Sequence, residues 1–315
     1  MISRNKVKWK YRVERCFLLL ADKIFTPMPL EARHYIATVI GAVFYYFIPI
    51  RKKQVMENLK IAFPESSPEW RRKVAFRNFI CFAKIFFDFF SVYTTSSDRF
   101  SKSIVCLNDK VIEKAIQHGK GAIIVIFHFG NWEALGEWFV RNRYNFGAIV
   151  RKLENPAAEK IVSETRRNHG MRLFSMKESS ATILKFLGGN GILGDVADQD
   201  AGRRGIFIEY FDRLSSTFRG PAVFALRQKC PLIAGTCLLK KNGKYIIHFK
   251  DISTSIPEGI KKTPAEYLTQ LYTNYFEKKI REYPEQYFWF HRLWKTKPPE
   301  DYKREVMQKS DGEEI

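Results

Sequence analysis

The sequence predicts an α/β fold: a mainly parallel, twisted sheet flanked by helices on both faces. Between positions 108 and 196, short apolar runs alternate with amphipathic segments, which is the pattern of repeated strand–helix units. The 315 residues are 45% hydrophobic, enough for one large core. The first 65 residues instead combine basic and apolar runs, and they predict an N-terminal helical region that associates with a membrane.

The N-terminal region (residues 1–65) carries six basic residues before position 16, and residues 34–50 form a run of 17 without a formal charge. Such a run is at the short limit of a membrane span, and no small-residue cleavage site of a secretory signal follows it. We expect a monotopic or once-inserted anchor with its basic flank on the cytoplasmic face. A buried helical hairpin of a soluble domain is the alternative, because Tyr, Pro and Gly dilute the run.

The rest of the chain is predicted to form a main α/β domain, residues 66–299, followed by a charged tail, residues 300–315. The domain begins with a helix that Ser67 caps. Asn242-Gly243 predicts a hairpin turn, and Thr263 opens a capping box ahead of the last helix. The predicted helices are 109–118, 132–143, 155–170 and 180–187, and the predicted strands are 122–127, 146–151, 171–175, 191–196, 232–240 and 244–250.

The most informative stretch is His-Phe-Gly-Asn-Trp-Glu, residues 128–133, which separates a buried strand from an amphipathic helix. A pocket is commonly built at such a turn, and His128 there can accept a proton from a substrate hydroxyl. Asn131 is predicted to cap the helix, with Glu133 in its first turn. The alternative is structural: His128 bonds at a strand end, and Glu133 complements the helix dipole.

A second polar cluster follows the strand at 191–196. Asp198, Gln199 and Asp200 lie beyond its carboxyl end, and Arg151 ends the strand at 146–151. The carboxyl ends of parallel strands meet at one edge of a sheet, where ligands bind. We therefore expect these side chains on the same rim as His128, although each could instead belong to a solvated charged loop.

The sequence predicts neither a bound cofactor nor a metal. The glycine pattern at 189–194 lies between a helix and a strand, which reverses the order of the dinucleotide fingerprint, and no phosphate-binding P-loop is present. His128 and Glu133 lack an obvious third ligand at helical spacing, so metal-assisted hydrolysis is a weak alternative.

The formal net charge is +20, from 53 Lys plus Arg against 33 Asp plus Glu. This charge suits an anionic partner: nucleic acid, anionic lipid or an acidic carrier protein. We expect no nucleic-acid partner, because neither a zinc knuckle nor an aromatic RNA-binding signature accompanies the charge. The five cysteines form no C-x-x-C pair, which suits a reduced, cytosol-facing protein.

Five blocks, in order along nearly the whole chain, resemble the late acyltransferases of bacterial lipid A biosynthesis. These are lauroyl and myristoyl transferases within the glycerolipid and lysophospholipid acyltransferase superfamily. The blocks are Asn58-Leu59 with 62–65, the stretch 128–133, Arg151 with Asn155-Pro156, the stretch 197–200, and 286–289 with His291, Arg292 and Lys295.

The resemblance implies a membrane-associated enzyme at the cytoplasmic face of the bacterial inner membrane. It would transfer a fatty acyl chain from an acyl thioester, on acyl carrier protein or coenzyme A, to a hydroxyl of a lipid A precursor. His128 would be the general base and Glu133 would orient its imidazole. The residues expected to bind substrate are Asn131, Arg151, Asp198, Gln199 and Asp200.

Two other functions stay open from the sequence. The acceptor could be another glycolipid or a lysophospholipid, since relatives in the superfamily acylate other lipids. The protein could also be a non-enzymatic basic protein that binds membranes or nucleic acid, with His128 in a structural role.

Overall fold

The computed structural model describes residues 4–48, 50–260 and 262–299. The predicted tail, residues 300–315, lies outside them. The helices are α1 (Arg4–Phe25), α2 (Leu30–Phe47), α3 (Lys52–Ala62), α4 (Pro68–Thr94), α5 (Ser97–Ser103), α6 (Lys110–Ile116), α7 (Trp132–Arg141), α8 (Pro156–Asn168), α9 (Ser180–Gly188), α10 (Gly220–Gln228) and α11 (Pro264–Glu282). The strands are β1 (Ile104–Cys106), β2 (Ala122–Ile126), β3 (Phe146–Val150), β4 (Arg172–Ser175), β5 (Ile192–Val196), β6 (Ile206–Glu209), β7 (Leu214–Thr217), β8 (Leu232–Leu239) and β9 (Tyr245–Asp251).

The main sheet has seven strands in the order β1-β9-β8-β2-β5-β3-β4. Every neighbouring pair is parallel except β8 and β9, the hairpin around Asn242-Gly243. The α/β prediction with a mainly parallel sheet is confirmed, as are the strands it used. A separate antiparallel pair, β6 and β7, was not predicted from the sequence.

Strand β2 lies at the centre of the sheet, and all five of its residues are buried. Its alternate side chains enter two different cores, because successive residues of a strand face opposite sides of the sheet. Ile123 and Val125 join the larger core with residues of α3, α4, α9, α10 and α11. Ile124 and Ile126 join a second core with residues of α6 and α7. Helices therefore cover both faces, as predicted.

The helix starts that were predicted from capping residues are confirmed at Ser67 and Thr263. The Ser67 side chain accepts the backbone N–H of Trp70 at the start of α4, with Pro68 at the first position. Thr263 and Glu266 form the reciprocal capping box at the start of α11. These bonds satisfy N–H groups that a helix start leaves without partners.

The N-terminal helices present exposed apolar side chains at helical spacing. On α1 these are Trp9, Val13, Phe17, Leu20 and Ile24, and on α2 they are Tyr35, Val39, Val43, Tyr46 and Phe47. Within the described ranges, no helix is both long enough and apolar enough to cross a membrane. The predicted membrane-associating character of this region is therefore not confirmed by the fold.

Helix α2 is held closely against α4. At Gly41 an added Cβ would lie 2.7 Å from the Ile80 Cα atom, so only glycine allows this approach. A buried carboxylate, Asp88 on α4, then joins three elements. It pairs with Arg33 (2.7 Å) and His34 (2.8 Å) of α2, and it accepts a 2.5 Å hydrogen bond from the Tyr245 hydroxyl of β9.

Candidate active site

His128 and Asp198 meet because their strands are neighbours. In the parallel pair of β2 and β5, Ile126 is opposite Val196. His128 and Asp198 each lie two residues beyond that register, at the carboxyl edge of the sheet. The shared rim expected from the sequence thus brings these two residues into direct contact.

The Asp198 carboxylate holds His128 at two points. Its Oδ1 lies 2.6 Å from the imidazole Nδ1, and its Oδ2 accepts the backbone N–H of His128 at 3.0 Å. Burial opposes ionisation of Asp198, but the charge and hydrogen bonds of His128 outweigh burial and hold the pKa of Asp198 below its ordinary value. An ionised carboxylate at Nδ1 stabilises the tautomer that leaves Nε2 as the proton acceptor.

Gly130 allows the chain to turn between His128 and α7. Its φ is +67°, and an added Cβ would lie 2.0 Å from the Cys237 carbonyl oxygen. Asn131 then caps α7 by accepting the Ala134 N–H at 3.0 Å. The glycine and the asparagine of the 128–133 stretch are therefore explained by backbone geometry.

The segment 286–296, which we call the C-terminal segment, covers the other side of His128. The Phe288 N–H donates to the His128 carbonyl at 2.9 Å, and the Gly130 N–H donates to the Gln286 carbonyl at 2.9 Å. The ring of Trp132 lies 4.8 Å from the imidazole of His128, centroid to centroid. The two backbone bonds hold the loop that carries His128, and the Trp132 ring packs against its imidazole.

A second histidine from the C-terminal segment lies beside His128. The two imidazole centroids are 5.1 Å apart, and the Gln199 Nε2 atom lies 3.0 Å from Nε2 of His291 and 3.5 Å from Nε2 of His128. Burial, followed by the charge of His128, lowers the pKa of His291 to about 4. His291 is therefore neutral at neutral pH and accepts the Gln199 amide proton. The sequence placed Gln199 at the site but gave His291 no role.

Glu133 has other partners than His128 in this structure. Its carboxylate binds Arg166 at 2.5 Å, the Tyr93 hydroxyl at 2.6 Å and the Trp132 indole N–H at 3.0 Å. Burial opposes its ionisation, but Arg166 outweighs it and holds the pKa of Glu133 below its ordinary value. The orienting contact that the sequence assigned to Glu133 is made by Asp198. The catalytic role predicted for Glu133 stays a prediction.

The other residues expected to bind substrate are placed as follows. Asn131 is fully buried at the helix cap. Both carboxylate oxygens of Asp200 bond Thr296 of the C-terminal segment, at 2.7 and 2.8 Å. Arg151 is exposed, and it acts on the pKa of His291, so it lies in the electrostatic neighbourhood of the site. Their substrate contacts stay predictions.

The start of α7 also offers two backbone donors. The N–H groups of Trp132 and Glu133 have no acceptor within the part of the chain that the structure describes. Together with the base at His128, such donors suit a reaction that develops negative charge on an oxygen.

The family model for bacterial lipid A biosynthesis acyltransferases matches residues 5–296. The chain belongs to this family. It is accordingly an acyltransferase.

Three relatives show the range of the resemblance. The lipid A biosynthesis lauroyltransferase of Escherichia coli K12 is 24% identical over 86% of this chain and 88% of its own length. The palmitoleoyltransferase of the same organism is 22% identical over 87% and 89%. A phosphatidylinositol mannoside acyltransferase of Mycolicibacterium smegmatis is 22% identical over 57% of this chain, and the match spans 59% of that protein.

In this acyltransferase, the sequence predicted that His128 and Asp198 share one edge of the sheet, but it did not predict the contacts that these residues make. The contact between Asp198 and His128 could have been predicted, because each residue lies the same number of positions beyond the end of its strand and the two strands are neighbours. Arg166 and Tyr93 gave no such signal, because they reach Glu133 from α8 and α4, whose packing onto α7 is not marked by any motif.

Proposed function

We propose that the protein transfers a fatty acyl chain from an acyl thioester to a hydroxyl of a lipid A precursor, at the cytoplasmic face of a bacterial inner membrane. The observation that carries this proposal is the pair of His128 and Asp198, joined at 2.6 Å, in a chain that belongs to the lipid A acyltransferase family. The two E. coli relatives named for lipid A biosynthesis match nearly the whole chain, which supports the acceptor class.

The proposed reaction uses His128 as general base. Nδ1–H donates to Asp198, so the lone pair of Nε2 can accept the proton of the acceptor hydroxyl as its oxygen attacks the thioester carbonyl. The new C–O bond forms, the C–S bond breaks, and the proton on His128 passes to the departing thiolate. The acceptor oxygen is itself the nucleophile, so no acyl-enzyme intermediate is required.

The carbonyl oxygen of the thioester becomes negative in the tetrahedral intermediate. We assign its stabilisation to the N–H groups of Trp132 and Glu133 at the start of α7, which have no acceptor among the described residues. Gln199 lies 3.5 Å from the Nε2 of His128, so its side chain borders the position that the acceptor hydroxyl would take. We expect it to contact the sugar of the bound acceptor.

The thioester supplies the driving force, so the proposed reaction needs neither a nucleotide nor a metal. The donor is an acyl group on acyl carrier protein or coenzyme A. The net charge of +20 favours the approach of either anionic donor and of anionic lipid headgroups. Activity that persists in a chelator would agree with this part of the proposal.

We assign membrane contact to the exposed apolar faces of α1 and α2. Exposed side chains repeat at intervals of three or four residues on both helices, as on helices that lie in a membrane interface. Exposed basic residues such as Arg12, Arg15 and Lys23 accompany them on α1. This arrangement supports a protein that lies on the membrane surface next to its lipid acceptor.

The test is acyl transfer from a radiolabelled acyl-carrier thioester to a tetra-acylated lipid A precursor, with purified protein in detergent. Labelled product from the wild type, lost in His128→Ala while the fold is retained, is the expected result. Near-normal transfer by His128→Ala would end the assignment of the base. No transfer by the wild type to any lipid acceptor would end the proposed function.

A second candidate acceptor is a different glycolipid. The mycobacterial relative that matches 57% of this chain is named for phosphatidylinositol mannoside. Parallel assays with a phosphatidylinositol mannoside acceptor separate the two, because the same His128 chemistry would then give product only with that lipid.

A further inference from the structure

A basic cleft lies beside the active site and has no part in the chemistry assigned to His128. Its walls come from α3, the start of α4, the β6–β7 turn and the C-terminal segment, and its volume is about 610 Å³. Five of its lining residues are cationic and one is acidic, Glu57. The cations are Lys60, Arg71, Arg213, Arg292 and Lys295.

Most of this positive charge is available to a ligand. Lys60, Arg213, Arg292 and Lys295 are exposed, and their side chains make no ion pair with any described residue. Arg71 differs, because it donates to the carbonyls of Phe63 and Ser66. Cations that face one cleft repel each other unless an anion enters, so the arrangement favours a ligand with negative charge.

The cleft is joined to the catalytic residues by the C-terminal segment. Asn58 lines the cleft, and its amide donates to the carbonyls of Trp289 and His291 at 2.7 and 2.6 Å. His291 faces Gln199 and His128, while the next residue, Arg292, faces the cleft. The cleft and the catalytic residues therefore adjoin the same short segment of chain.

The size and composition of the cleft limit what fills it. A lone phosphate would leave most of 610 Å³ empty, since pockets of this size hold whole small molecules. Ile61, Pro64 and Trp294 supply an apolar wall beside the cations. Guanidinium groups match the geometry of phosphate oxygens, and an aromatic wall suits the face of a sugar ring.

We propose that this cleft binds a phosphorylated sugar of the acceptor, with Arg292 and Lys295 on its phosphate. The ligand class rests on the proposed glycolipid acceptor. Binding at the cleft places a hydroxyl of the same molecule at His128, so the cleft determines which phosphorylated acceptors are used and not the rate of the chemical step.

Kinetics with two acceptors test this proposal. Arg292→Gln combined with Lys295→Gln is expected to raise KM for a phosphorylated glycolipid acceptor by about 10- to 100-fold, with little change in kcat. KM for the acyl thioester and for the dephosphorylated acceptor should be unchanged. The matched control is Arg99→Gln with Lys102→Gln, two exposed cations at the same spacing on α5, which should leave all constants unchanged.

A binding experiment separates this proposal from the reaction itself. A soluble phosphorylated glucosamine disaccharide without acyl chains is titrated into the full chain by calorimetry. Binding that is lost in the Arg292, Lys295 variant and absent for the unphosphorylated disaccharide supports the cleft, even if no transfer is detected. In the binding experiment, no binding of the phosphorylated sugar would overturn the proposal. In the kinetic experiment, an equal rise in KM for the phosphorylated and the dephosphorylated acceptor, or a rise in KM for the thioester alone, would overturn it.

Discussion

Asp198 contacts His128 through both of its carboxylate oxygens, one at the imidazole Nδ1 (2.6 Å) and one at the backbone N–H (3.0 Å). One side chain thus fixes both the loop and the ring that it carries. The two roles can be separated, because an asparagine at this position can still accept the backbone N–H but no longer stabilises a protonated imidazole.

Asp198→Asn is therefore expected to lower kcat by about 10²- to 10⁴-fold while the protein stays folded. Acyl transfer and urea unfolding measure the two effects. The control is Asp195→Asn, the same isosteric change three residues earlier, inside β5, which should leave kcat unchanged. Comparable kcat values in the two variants would contradict the role of Asp198.

Asp195 gives a prediction about pH. Its carboxylate has no hydrogen-bond or ion-pair partner among the described residues, and burial raises its pKa to about 7. Its unfolded pKa is about 3.9, so between these values the folded state binds a proton that the unfolded state lacks, and stability falls as pH rises. Asp195→Asn should therefore stabilise the protein at pH 8 by as much as about 4 kcal/mol and at pH 5 by about 1.5 kcal/mol. Urea unfolding at the two pH values measures this, and an equal gain at both would contradict it.

Gly130 and Gly119 form a matched pair with φ of +67° and +66°. A Cβ at Gly119 meets nothing within 4 Å, whereas at Gly130 it lies 2.0 Å from the Cys237 carbonyl oxygen. Gly119→Ala should cost about 1 kcal/mol, from backbone strain alone. Gly130→Ala should cost more than about 3 kcal/mol and also reduce transfer, because His128 lies two residues away. Similar unfolding free energies for the two variants would show that the backbone at Gly130 can move aside.

The ion pair of Glu133 and Arg166 is suited to a double-mutant cycle. Their side chains are 8% and 19% exposed, so removing either partner leaves a largely buried charge. Glu133→Gln and Arg166→Gln should each cost about 3 kcal/mol, and the double variant should cost clearly less than their sum. Glu164→Gln, which breaks an exposed pair with Lys160 on the same helix, should cost less than about 0.5 kcal/mol. Additive costs in the first cycle would mean that the pair is not coupled.

Membrane contact through α2 is tested with Val39→Asp and Val43→Asp together. Both side chains are exposed, so the fold should tolerate the change while co-sedimentation with anionic vesicles falls at least several-fold. Leu107→Asp with Leu153→Asp changes two exposed apolar residues outside α1 and α2, and it should leave vesicle binding unchanged. An equal loss of vesicle binding in both double variants would mean that the added negative charge, and not the position on α2, causes the effect.

The sequence predicted those parts of the fold that local patterns record. Buried strands, the caps at Ser67 and Thr263, and the turn at Asn242-Gly243 all follow from neighbouring residues. From the sequence, His128 and Asp198 were expected at the same edge of the sheet, but the hydrogen bond between them was not predicted. The partners of Glu133 and the position of His291 depend on how distant helices and the C-terminal segment pack. The local spacing of apolar residues in the sequence does not record this packing.

The Asp88 cluster has a consequence for regioselectivity. Because α2, α4 and β9 share the buried carboxylate of Asp88, the exposed face of α2 is tied to the sheet that carries His128. If that face rests on a bilayer as proposed, the height of His128 above the lipid plane is constant. The enzyme would then choose among several acceptor hydroxyls by their distance from the membrane surface.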